Sequence, residues 1–277
     1  MRPRITISAD LKLLPRGLSR RGHVPTCELL IKTLFDRRNL QLFRGQADEG
    51  WPLETRLHRT FPAQTLAHER RMMQVLQADA PMKMRGVDLP DGELQWMAFS
   101  QHHGGPTRLL DWSDSPFVAL FFAAIDEPKE DGAIWMLNRS WALRESLDII
   151  RRETGDSVAW MTPIGTLVQT VEAASVPVIL PVSPSPRFPR MAAQSGHFTY
   201  VGGETASMTL ALAACSPHDP SVKSATRTVL EKLTFPASIK EECLQYLSTM
   251  QIDYSTIYPD FEGLARSLPR RNWLDWH

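Results

Sequence analysis

The sequence predicts a single domain of the α+β class. Three observations carry that expectation. Strand-like alternation and helix-like periodicity both occur along the chain. The clearest candidate linkers, 184–189 and 215–222, are short, and there is no internal repeat or low-complexity tract. At 277 residues, 43% hydrophobic and 22% charged, the chain is long enough and apolar enough to bury a sizeable core.

The elements follow in order. Ile5 to Leu14 reads as a short strand. Thr26 is placed to cap a helix over 27–38, with Leu29, Leu30 and Leu34 as its inner face. Residues 39–44 alternate polar and apolar, which suits a half-buried strand ending at Gly45. Trp51-Pro52-Leu53 is an extended connector. A charged helix is expected from Ala63 to Lys83, and another from Asp91 to Gln101 with Leu94, Met97 and Ala98 inward. Ala133 to Leu137 is an apolar strand after the Asp131-Gly132 turn, and 141–153 is helical. Val176 to Val182 and Arg227 to Phe235 are strand-like, and a surface helix is expected around 204–214. Ser238 and Glu241 fit a capping box that opens a helix to Met250, and Pro259 opens a last helix to Leu268.

Charge and cysteine content narrow the functional classes. Lys+Arg and Asp+Glu are 31 each, so no net field draws the protein to nucleic acid or to a membrane surface. Local cationic clusters remain at His68-Glu69-Arg70-Arg71, Arg151-Arg152 and Arg270-Arg271. Cys27, Cys215 and Cys243 have no metal-ligand spacing, and an odd, sparse set points to free thiols in a reducing cytosol. The start of the chain has no apolar run suited to a signal peptide, and no stretch approaches ~18 uninterrupted apolar residues. A cytoplasmic protein with no membrane partner is the expectation.

The densest chemistry lies between Gln101 and Ala124, where a paired histidine and a Gly-Gly-Pro turn precede a short strand and a capped helix. Ser115 caps that helix, Pro116 occupies its first position, and Phe117, Leu120, Phe121 and Ala124 form an apolar stripe. His102 and His103 have no metal-binding spacing with a carboxylate, so no metal is expected; a neutral histidine bonding a substrate fits better. Asp111 reads either as a site carboxylate or as a partner of backbone N–H groups or Arg108. Ser113 can bond a ligand amide, and no GxSxG elbow supports a hydrolase. Arg44, at the end of its strand, is either an anion clamp or a snorkelling arginine in a salt bridge. Gln194-Ser195-Gly196 follows Arg187 and Arg190 and reads as a turn or bulge. Asp260 and Glu262 sit in a first helical turn, where they complement the dipole. Both GxGxxG and GxxxxGK[ST] are missing.

Several words of this sequence together resemble the FRG domain family: Phe43-Arg44-Gly45-Gln46, Trp51-Pro52-Leu53, the run from His102 to Trp112, Ser115-Pro116 and Ala119 to Ala123. The resemblance is strongest over 41–137. It continues through Gln194 to Phe198 and from Lys232 to Leu268, so that residues 176–268 are expected to complete one sheet within a single domain of 1–277.

The family in turn resembles ADP-ribosyltransferases in layout. That resemblance implies a split β-sheet core, with NAD as substrate and a protein or nucleic acid as acceptor. The family type implies a bacterial toxin or defence effector. Oligomeric state is left open. By the same resemblance Arg44 fixes the pyrophosphate, and backbone groups near Gly45, Gly104 and Gly105 approach the ligand. His102 or His103 bonds the ribose, and Phe198 or Tyr200 stacks on a ring. Thr107, Arg108 and Ser113 complete the binding set. The catalytic acid is the departure: Gln194 stands where a carboxylate is expected, with Glu262 and Asp111 as alternatives. Retained activity would make the protein an NAD-dependent transferase or glycohydrolase; a lost acid would leave a nucleotide-binding sensor or an interaction module.

Overall fold

A computed structural model describes residues 19–37, 41–84, 89–183, 189–215 and 229–270. The expected strand at 5–14, residues 39–40, Arg187, Arg271 and most of the two candidate linkers lie outside the described residues. Seven strands form a single sheet: β1 (Ser19–His23), β2 (Gln41–Gln46), β3 (Leu109–Ser113), β4 (Gly132–Asn138), β5 (Ile179–Val182), β6 (Gly196–Val201) and β7 (Leu230–Phe235). Their order is β1-β7-β4-β2-β3-β6-β5, and every pairing is antiparallel except β1 with β7. This mixed architecture fits the expected α+β class.

The sheet is unevenly bonded. β2 and β4 pair over six residues, and β3 and β6 over five. Between them, β2 and β3 share one register pair, Phe43 with Ser113. Beyond it the ladder stops, although both strands continue.

Helices cover both faces, because the strands carry apolar side chains on both. Along β2 and β4, Leu42, Trp135 and Leu137 enter one core cluster and Phe43, Ile134 and Met136 the other. The first cluster is closed by α4 (Glu93–His102), α6 (Arg139–Thr154), α7 (Ile164–Ala174) and α9 (Met208–Ala214). The second is closed by α1 (Cys27–Asp36), α5 (Pro116–Ala124) and α10 (Lys240–Thr249). Short helices α2 (Arg56–Thr60), α8 (Pro189–Ala193), α11 (Tyr254–Ile257) and α12 (Phe261–Ser267) carry the connections, and α3 (Thr65–Lys83) lies outside α4. Among the described residues, no helix is long and apolar enough to cross a membrane.

Local signals place most boundaries. Thr26 accepts from Leu29 N and Ser115 from Val118 N, as their sequence positions predict. Four expectations are corrected. Leu29 is exposed, and the buried stripe of α1 is Cys27, Leu30 and Leu34, since the i, i+3, i+7 spacing sets the inner face. Helix α5 is not buried on a stripe alone: Val118, Ala119 and Ala123 are buried too, because it packs against the sheet and under α10. The capping box at Ser238 does not form; Ala237–Ile239 is a 3-10 turn, and a capping box occurs instead at Asp253 and Thr256. Helix α9 buries Met208, Ala211 and Leu212, so it is a core helix rather than a surface one.

Gly45 decides how closely α5 approaches. An ideal Cβ there would lie 1.9 Å from Ala119 O and 2.7 Å from Ala123 N, so only glycine lets the helix backbone touch β2. On the other face, Arg108 and Glu69 form a buried ion pair, and the Tyr200 hydroxyl donates to Glu172 at 2.8 Å. Burial pushes the Glu172 carboxyl up to about 8, and the adjacent Glu93 carboxyl adds to the shift.

Two outcomes follow. Gly45→Ala loses about 3 kcal/mol of stability, read as a lowered denaturation midpoint, because the new methyl must displace backbone. For Glu172, the folded state binds the proton between about pH 4.5 and 8 while the unfolded chain releases it. Its contribution to stability therefore falls as pH rises through that window. Denaturant midpoints measured from pH 5 to 8 should drop more steeply in the parent than in Glu172→Gln.

Candidate functional site

The FRGQ tetrapeptide divides its work by strand alternation. Phe43 enters the core and Gly45 admits α5. Gln46 accepts from Trp135 Nε1 at 2.6 Å and donates to Pro52 O at 3.1 Å, fastening the loop that follows β2. Arg44 is left at the point where β2 and β3 part. Its Nη1 donates to the main-chain oxygen of Asp111 at 2.8 Å and lies 3.5 Å from the Asp111 carboxylate. Its Nε is buried and makes no hydrogen bond.

The gap beside Arg44 is the mouth of a cavity of about 550 Å³. Its walls come from β2 and β3, the end of α4 with Gly104 and Gly105, the outer face of α5 at Phe122, and α8 with Gln194, Gly196 and Phe198. Trp51, Arg56 and Arg59 line it and are exposed, forming a lip, and Arg190 and Tyr258 line it as well. Four arginines thus line it against two carboxylates, Asp111 and Asp126. An array of this sign and shape suits an anionic ligand with flat rings.

Local folding places each group. Gly104 has φ +83°, which ends α4 in the left-handed region, and Gly105 N donates to Ser100 O at 2.8 Å. That turn brings Gln101 over β3. Thr107 donates to Gln101 Oε1, and Gln101 Nε2 donates to Asp111 Oδ1 at 2.6 Å, so the Asp111 carboxylate is oriented although its side chain is 61% exposed. Burial pulls the Arg44 guanidinium below its ordinary value; Asp111 draws it back up and Arg59 pushes it down again. Burial also lowers His102, and the neighbouring His103 and Arg190 add to the effect. His102 is therefore neutral near pH 7 and able to accept or donate. Arg190 stacks over the Tyr258 ring with its guanidinium carbon 3.9 Å from the centroid.

Of the residues singled out from sequence, Arg44, Gly45, His102, Gly104, Gly105, Asp111, Ser113, Gln194 and Phe198 line the cavity. The Ser113 hydroxyl is already committed, donating to Gln194 O at 2.7 Å and accepting from Ser115 N. The remaining five do not line it. Arg108 is buried against Glu69, which also requires its charge. Thr107 is buried and spends its hydroxyl on Gln101. Tyr200 is buried in the core with its hydroxyl on Glu172. His103 caps α4 and packs on Phe99. Glu262 pairs with Arg266 on the exposed side of α12 at 2.8 Å. Local side-chain direction does not separate them: Tyr200 shares a face of β6 with Phe198 but lies two residues further along, where its hydroxyl reaches Glu172 on α7.

Sequence reasoning missed Trp51, Arg56, Arg59, Asp126 and Tyr258 as lining residues, and His197 with them. His197 is buried, accepting or donating with Ser183 Oγ at 2.6 Å and Asp114 Oδ2 at 2.5 Å. Exposed arginines carry no local signal; the Trp51-Pro52-Leu53 word and the aromatic Tyr258 beside Pro259 were the cues available.

This geometry accounts for the words that make up the motif. Residues 39–132 match the FRG domain family. The FRG match covers about a third of the chain, and it takes in β2, β3, α5 and the end of α4, the elements that form the gap. No curated protein and no solved structure matches the chain.

In a proton NMR titration, the midpoint for His102 should fall below the ordinary histidine value. Arg190→Ala should return it upward, because a repelling charge is gone.

Proposed function

We propose that the cavity of the FRG segment binds NAD and that the protein is an NAD-dependent ADP-ribosyltransferase or NAD glycohydrolase. The observation that carries this reading is the unbonded Nε of Arg44, buried at the mouth of a cationic cavity where β2 and β3 separate. A dinucleotide supplies what the site lacks: two phosphates for the guanidinium fork and flat rings for aromatic walls. The one-pair seam between β2 and β3 also supports the split-sheet likeness to ADP-ribosyltransferases that the sequence suggests.

The assigned roles follow from position. Arg44 holds the pyrophosphate. Neutral His102 bonds a ribose hydroxyl, and Phe198 offers a ring face. Asp111, oriented by Gln101, takes the electrostatic role in place of Gln194, which is neutral, and of Glu262, which lies outside the cavity. Cleavage of the glycosidic C–N bond releases neutral nicotinamide and leaves positive charge on the ribose. A carboxylate beside it lowers that barrier. Water, or a nucleophile on a protein or nucleic acid, then bonds to the ribose carbon and gives up its proton. Bacterial toxin or defence action is a context for such chemistry.

A second reading, a nucleotide-binding sensor without turnover, is favoured by one observation: the Asp111 carboxylate is already engaged by Gln101 and lies 3.5 Å from Arg44.

Incubation with labelled NAD, alone and with cell lysate, should release nicotinamide, and label should pass to a macromolecule or to water. Arg44→Ala should abolish both NAD binding and turnover while circular dichroism stays native. Asp111→Asn should keep NAD binding but lower kcat by 10²-fold or more, the order expected when one charge-stabilising group is removed. Turnover of Arg44→Ala at the parent rate sinks the proposal. NAD binding by calorimetry with no nicotinamide release selects the sensor.

A further inference from the structure

We infer that the lip of the cavity formed by Trp51, Arg56 and Arg59 seats a single-stranded nucleic acid. Such a strand is the acceptor class for the transfer proposed above; that acceptor role rests on the NAD reading, whereas the docking itself does not.

Trp51 is 41% exposed, on a loop whose backbone is braced. The main-chain N–H of Trp51 donates to Asp48 O at 3.2 Å, Gly50 N donates to the Asp48 carboxylate at 2.7 Å, and Gln46 fastens the following Pro52 carbonyl. A large exposed ring carried on a braced loop and lining the cavity offers a stacking platform. Beside it, Arg56 and Arg59 are both exposed on α2 and line the same cavity.

Charge is segregated here in a chain that is neutral as a whole. From Trp51 to Ala78 the acidic residues are Glu54 and Glu69, and both are buried and committed. Glu54 accepts from Met208 N and Thr209 N at the start of α9, and Glu69 from Arg108. The same stretch exposes Arg56, Arg59, Arg70 and Arg71. Over 51–78 the solvent-facing ionised charge is therefore of one sign, on α2 and on the part of α3 that precedes exposed Asp79. Cations beside an exposed ring match a repeating phosphate with a stackable base. An acidic peptide would satisfy the arginines but leave Trp51 without a flat partner.

The test is fluorescence anisotropy with 5′-labelled 12-mers of single-stranded DNA and RNA, on the full chain, with NAD binding followed in parallel by calorimetry. The parent should bind an oligonucleotide with an affinity that falls as salt rises. Arg56→Ala with Arg59→Ala, and Trp51→Ala alone, should each weaken it by about tenfold or more. Arg44→Ala should lose NAD and retain the oligonucleotide. An Arg144→Ala and Arg152→Ala double variant, which removes two exposed arginines elsewhere, is the charge control and should bind as the parent does. The inference is overturned if neither strand binds, or if the lip variants bind no worse than the control. It is also overturned if polyglutamate competes with the strand and shows the same dependence on Trp51. Oligonucleotide binding without NAD binding would instead defeat the reading of the preceding section and leave this surface standing.

Discussion

The single hydrogen-bonded seam between β2 and β3 governs what the rest of this structure can do. With one register pair, Phe43 and Ser113, the sheet is continuous but nearly divided into a four-strand and a three-strand part. Two adjoining strands that stop pairing leave backbone groups to be satisfied some other way. Arg44 answers part of that need by donating across the gap to Asp111 O. A side chain thereby stands in for a ladder bond, and it brings a positive charge to the place where the sheet opens. The cavity, the orientation of Asp111 and the approach of α4 all refer to that junction.

Support for the junction comes from close contacts on one face and buried polar pairs on the other. Gly45 lets α5 lie against β2, so the floor of the gap is rigid backbone. Behind β3, Arg108 with Glu69 and Tyr200 with Glu172 anchor α3, α7 and β6. Leaving one member of such a pair unmatched in the interior is costly, which makes these residues part of the frame rather than of the site. The two arginines Arg44 and Arg108 therefore differ in duty: one stands at the gap with its Nε unbonded and the other is consumed by the fold.

Much of the framework was legible beforehand because its signals are local. Thr26 and Ser115 cap where predicted, the Asp131-Gly132 turn precedes an apolar β4, and the run from Leu109 to Ser113 forms a strand. The errors also have local causes. Ser238 and Glu241 carry the spacing of a capping box, but Pro236 leads into a 3-10 turn that takes Ser238 away from the cap position. Leu29 has the hydrophobicity of a core residue and lies on the wrong side of a helix only 100° per residue from Leu30. The short helix α2 went unseen, since five residues carry too little periodicity to register.

The sequence by itself determined many of the element types, the α+β class and the motif words by which residues 39–132 match the FRG domain family, because caps, turns and alternation are read over a few neighbouring residues. Only the tertiary structure decided which polar residues share a cavity. Thr107, Arg108 and Asp111 lie within five positions, yet two are buried and one opens to solvent. Arg190 and Tyr258, far apart in the chain, meet at 3.9 Å. Side-chain direction along a strand is periodic, but which face opens depends on where the neighbouring strand stops pairing, and that is set by contacts between distant segments.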